Sequence, residues 1–162
     1  MEILLLFEKG VWAGFAALGF AVLFNVPVRT LFAIWALGAI GGFAKYSTMS
    51  LGLDIISASL IGASLAGTLS IPLAHKIHAP PVIFSIPAVI PMVPGAFAYR
   101  MILGLLKMSV GKDIVANNEL MVSVVQNGMK VILILLSLAV GVAGPMLITR
   151  RESAKRIRLP KI

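Results

Sequence analysis

Apolar residues run along this chain in long blocks divided by short polar turns, and the block lengths predict membrane-spanning helices. The first block extends from about Ile3 to Phe24, interrupted only by Glu8-Lys9 near one end. Asn25-Val-Pro-Val-Arg29 then reads as a tight turn, because Pro27 biases Val26 away from helix. A second block covers roughly Thr30 to Met49 and carries Gly38, Gly41 and Gly42. The third runs from Ile55 to Ala74, with Asp54 where an N-cap belongs and His75-Lys76 at the negative end of the helix dipole. After the turn His75–Pro81 comes a fourth segment, Val82 to Leu106. Lys107 to Glu119 is the longest polar stretch between spans, and the fifth block extends from about Leu120 to Thr149.

The fourth segment differs from the rest. Ile86-Pro-Ala-Val-Ile-Pro-Met-Val-Pro-Gly95 is apolar enough for a bilayer, yet its prolines forbid an uninterrupted helix. Backbone freed at membrane depth is tolerated only where protein buries it or a wet cavity faces it. The break is therefore either a solute site or a structural kink, and three prolines so close together favour the site. Small residues also recur at helix-packing spacing. Ser59, Ala63 and Gly67 form one stripe, with Gly62, Ala66 and Ser70 beside it, which predicts a central third span packed on two sides.

Composition agrees with the pattern. Hydrophobic residues make up 59% of the 162 residues and charged ones 12%, with a mean hydropathy of +1.02. The expected fold is all-α, a polytopic membrane helix bundle of about five transmembrane helices whose fourth is broken by proline and glycine. Residues 1–149 would form the transmembrane domain and residues 150–162 a basic cytoplasmic tail. The net charge of +8 does not indicate nucleic acid, since Arg150, Arg151, Lys155, Arg156, Arg158 and Lys161 are concentrated after the last span. That block predicts a cytoplasmic C-terminus held against anionic lipid. It does not settle whether the broken segment crosses or re-enters, because either layout places more basic residues on the tail side; five crossings are preferred. The acidic start, with Glu2 and Glu8, does not resemble a cleavable signal.

Enzyme chemistry finds no support in the sequence. There is no cysteine, no glycine-rich phosphate loop and no paired acidic motif, and His75 and His78 have no carboxylate neighbour in sequence for a metal site. No catalytic residue, metal or cofactor is expected. None of the six acids lies in mid-span, so an evident proton-carrying carboxylate is missing.

A helix restarting near Ala96 would present positively polarised amides to an anion, with Tyr99 and Arg100 about one turn beyond. Arg100 either grips a substrate carboxylate through its planar donor fork or snorkels to a structural partner. Asn127 and Lys130, three apart on one helix face, either line a polar path or sit at the interface, and the interfacial reading is preferred. Lys45 reads as a span-end residue and Asp54 as a cap rather than a proton site.

Taken together, the chain resembles the small integral-membrane subunit of the threonine/serine exporter family, equivalent to the C-terminal half of fused exporters. The matching blocks are Phe24-Asn-Val-Pro-Val-Arg29 and Ala88-Val-Ile-Pro-Met-Val-Pro-Gly-Ala-Phe-Ala-Tyr99. The glycine- and serine-rich third span and the histidine turn agree as well. The resemblance implies export of small amino acids or related carboxylates driven by the proton gradient, in the bacterial inner membrane, together with a second, longer subunit. Candidate binding positions in the matching blocks are Asn25, Pro27, Arg29, Pro91, Pro94, Gly95 and Tyr99, with Arg100 beside them. The competing reading is a non-transporting assembly or scaffold subunit, and a passive channel is a third class. Self-association into a homo-oligomer is compatible with the small-residue stripes.

Overall fold

The computed structural model describes residues 2–110 and 114–149, so the basic tail at 150–162 lies outside the described residues. Among the described residues all regular structure is helical. The helices are α1 (Glu2–Leu23), α2 (Leu31–Ser50), α3 (Ile55–Ile77), α4 (Pro81–Val89), α5 (Gly95–Val110) and α6 (Ile114–Thr149). Four helices are long and apolar enough to cross a membrane, and α4 with α5 makes a fifth segment bent by 55°. The expected all-helical bundle, with its fourth apolar segment broken, is therefore present.

Local chemistry sets the helix ends. Asp54 accepts the Ile56 N–H through Oδ2 at 3.1 Å, the cap its position predicts. His78 adopts φ 55 and ends α3 in a left-handed turn, its N–H bonded to the Ala74 carbonyl. Pro81 opens α4, where a missing N–H costs nothing.

Packing follows the small-residue stripes. A Cβ built on Gly62 would stand 2.7 Å from the Gly41 carbonyl oxygen, so α2 and α3 touch backbone to backbone. One built on Gly141 would stand 2.7 Å from the Ala63 Cβ, which fixes α6 against the neighbouring stripe of α3. The third helix thus packs on two sides, as its sequence predicts. The short α4 lies inside this frame, with Phe84, Pro87 and Ala88 buried among α1, α2 and α3.

The far half of the molecule departs from expectation. The polar stretch 107–119 is mostly helix: α5 continues to Val110 and α6 begins at Ile114. The stretch holds no proline, and polar residues by themselves do not end a helix. At 36 residues α6 is about 54 Å long, against about 30 Å of hydrocarbon. From the contact of Ala63 with Gly141, α3 runs back about 12 Å to Ile55, whereas α6 runs back about 40 Å to Ile114. Gly104 meets Val124 and Gly128 meets Met101, so α5 accompanies α6 over this overhang. The pair forms a helical hairpin projecting from the bundle at the end opposite Thr149.

Candidate functional site

The break in the fourth segment is built by its prolines. Pro91 and Pro94 have no N–H to donate to Pro87 and Ile90, so the α-helical ladder stops at Val89 and tightens into a 3-10 turn over Ile90–Met92. The Val93 N–H closes that turn on the Ile90 carbonyl at 2.9 Å. Val93 itself is extended, φ −60 and ψ 135, as a residue before proline prefers. The chain then restarts as α5. Gly95 N–H bonds the Val93 carbonyl at 2.9 Å, while Phe97 and Ala98 bond the Pro94 carbonyl at 3.2 and 3.1 Å.

One carbonyl falls out of the ladder. In a continuous helix the Met92 oxygen would accept from residue 96, but here the Lys45 ammonium of α2 donates to it at 3.0 Å. Both partners are inside the protein: Lys45 is 6% exposed and Met92 3%. The wall around them is made of small residues. A Cβ on Gly62 would meet the Lys45 Cβ at 3.2 Å and the Met92 sulfur at 3.3 Å, and one on Gly41 would meet the Met92 methyl at 2.7 Å. Ser59 lies one turn from Gly62 on the face of α3 between Gly62 and Ala63. Its hydroxyl is fully buried and unpaired, as is that of Ser85 on α4.

The residues nominated from sequence fall into separate places. Pro91, Pro94 and Gly95 form the break, with Pro94 buried and Gly95 exposed. Tyr99 is 67% exposed and Arg100 is exposed. Asn25, with φ 52, and Arg29 are exposed in the turn between α1 and α2. That turn is at the Thr149 end, so about 17 Å of helix separates it from Met92. Asn127 donates to the Ser123 carbonyl at 2.7 Å along its own helix, and Lys130 sits 5.4 Å over the Phe97 ring. Neither approaches Lys45 through a described hydrogen bond.

Lys45 is what the sequence reading missed. It was expected at a span end, and its position, five residues from the end of α2, agrees with that. Its burial against the break does not. The signal was present: Gly38, Gly41 or Gly42, and Lys45 continue one helical stripe, so the lysine belongs to the packed face rather than the lipid face.

A cleft of about 820 Å³ opens at the Thr149 end among α3, the turn before α4 and α6, lined by Ile71, His75, His78, Val82 and Met146. His75 Nδ1 is 2.8 Å from the Ile71 carbonyl. Among the described residues no cluster of three metal-ligating side chains occurs.

No solved structure matches the chain. A sequence model of the family described as Threonine/Serine exporter, ThrE, matches residues 9–148, which takes in every described helix core and both proline-containing blocks. With apolar helices, a proline-broken segment and that match over most of its length, this multi-pass membrane protein belongs to the threonine/serine exporter family.

Proposed function

We propose that the chain is the small membrane subunit of a secondary exporter of serine, threonine or related small carboxylates, working with a second, longer subunit and driven by the proton gradient. The observation that carries this reading is the break at Pro91–Gly95, inside a member of an exporter family, with a buried cation on its free carbonyl. Exporters of this kind work by alternating access around a site in discontinuous helices. The bend at Val93 is the position where rotation of α5 against α4 disturbs the fewest backbone bonds. The basic tail favours a cytoplasmic C-terminus in a bacterial inner membrane, and on that reading the α5–α6 hairpin lies toward the other side.

The hairpin supports the need for a partner. Met121, Val122, Val125 and Met129 are exposed on α6 ahead of the part that packs on α3, continuing the exposed stripe of Ile132, Leu133 and Leu136. A helix of about 54 Å cannot lie within about 30 Å of hydrocarbon at ordinary tilt, so this stretch needs cover other than lipid. The second subunit supplies it, and proton coupling through a carboxylate falls to that subunit as well. The scaffold reading is separated by reconstituting the longer subunit alone: full transport without this chain would remove it from the mechanism.

Arg100, exposed one turn into α5, guides the substrate carboxylate toward the break. Arg100→Gln is expected to lower threonine efflux from loaded cells severalfold at normal protein level. Wild-type efflux would remove Arg100 from the path.

A further inference from the structure

We infer that Lys45 is the group that receives the substrate's carboxylate, and that the substrate enters by replacing the bond between Lys45 and the Met92 carbonyl. The inference rests on the exporter reading and deepens it. The amides at the start of α5, the first candidates for holding an anion, are largely occupied: Gly95, Phe97 and Ala98 already donate to Val93 and Pro94. Lys45 is not. An ammonium has three donors, and among the described residues its one hydrogen bond is to Met92. Among the described residues it forms no ion pair. The acid at the same end of α3, Asp54, is exposed and caps its own helix. A buried ammonium without an anion carries a large desolvation cost, and a membrane interior raises it. An anionic ligand group at this site offsets that cost.

The geometry suits a zwitterion in particular. The Met92 carbonyl is an acceptor now held by an ammonium, and the Lys45 ammonium is a cation now held by a neutral dipole. An α-amino acid carries both complements on one carbon. Its carboxylate takes Lys45 and its own ammonium takes the released Met92 carbonyl, so each internal group exchanges its partner for an oppositely polarised charged one and the net charge of the site does not change. Gly41 and Gly62 bring α2 and α3 into backbone contact around this bond, so the ligand enters as Lys45 and the Met92 side chain move aside, and Ser59, with a buried, unpaired hydroxyl, lies one turn from Gly62 on α3. That hydroxyl fits a ligand bearing a hydroxyl of its own. The two charges of the amino-acid substrate are thus held by Lys45 and Met92 O, with its side chain toward Ser59.

The test is efflux from cells holding this chain with its longer partner subunit, comparing L-threonine with L-threoninol, which lacks the carboxylate. Lys45→Gln retains an N–H donor for Met92 but no charge, so it separates a packing latch from an anion site. The expected result is a KM for L-threonine raised about tenfold or more, the loss of a charged hydrogen bond. L-Threoninol handling should change little, so the preference between the two solutes collapses. Ser59→Ala, a smaller change in packing, is expected to raise the KM for L-threonine severalfold. An unchanged preference in Lys45→Gln, or a fall in kcat alone, overturns the assignment and leaves the exporter reading standing. If the wild type moves no L-threonine in a saturable way, the exporter reading fails and this inference falls with it.

Discussion

Gly62→Val is expected to separate α2 from α3 and to lower the thermal midpoint of the detergent-solubilised protein by about 2–12 °C, as overpacking costs of about 1–3 kcal/mol predict for a chain of this size. The cause is geometric. A first side-chain atom at position 62 would lie 2.7 Å from the Gly41 carbonyl oxygen, and backbone cannot swing aside as a flexible side chain can. The same atom would press on the Lys45 Cβ and the Met92 sulfur, so the bond that holds the break is strained along with the helix pair. In lipid there is little hydrophobic force to draw the helices back together, because association depends on close packing. The control is Gly19→Val on α1, where no heavy atom lies within 4 Å of the added carbon; its midpoint should be unchanged. Size-exclusion melting curves for the two variants check the contrast. Equal midpoints would mean that the α2–α3 contact is not what the structure shows.

The double substitution Pro91→Ala, Pro94→Ala is expected to have the opposite balance of effects. Each proline disfavours helix by about 3 kcal/mol relative to alanine, so removing both permits one helix from α4 into α5. In that helix the Met92 carbonyl accepts from residue 96 and no longer waits for Lys45. The 55° bend is lost, and the protein becomes as heat-stable as the wild type or more so. Transport should fall at least tenfold, because the irregular backbone that faces the solute no longer exists. Melting temperature and efflux are read on the same preparation. Transport at the wild-type rate in a straightened variant would show that the prolines are a kink without a role in export.

Much of this was legible in the residues. The span blocks, the Asp54 cap, the break at Pro91–Gly95 and the two-sided packing of α3 all follow from local rules: apolar run length, capping chemistry, proline's missing N–H and small-residue spacing. What was not legible depends on depth. Lys107 to Glu119 reads as a loop between spans because its polar residues suggest water, but polarity reports the environment and not the backbone, and helix continues through most of it. Lys45 reads as a span-end cation for the same reason. Whether a lysine near a helix end reaches water or turns inward depends on which carbonyl the neighbouring segment leaves free, and that is a tertiary fact. Arg100 shows the converse. It stands beside the break in sequence, yet the turn of α5 places it on an exposed side.

The most direct measurement uses the absence of cysteine in the natural chain. Ser59→Cys replaces a buried, unpaired hydroxyl with a thiol of nearly the same shape, giving one reactive group a turn of α3 from Gly62, on which Lys45 and Met92 pack. Alkylation by a hydrophilic thiol reagent requires water to reach it, because the thiolate is the reacting form. In cells carrying the longer subunit, the account predicts that this thiol is labelled slowly and that external L-threonine slows the labelling further. A thiol that never reacts, or that reacts at a rate indifferent to L-threonine, would contradict the claim that the broken segment closes a solute site.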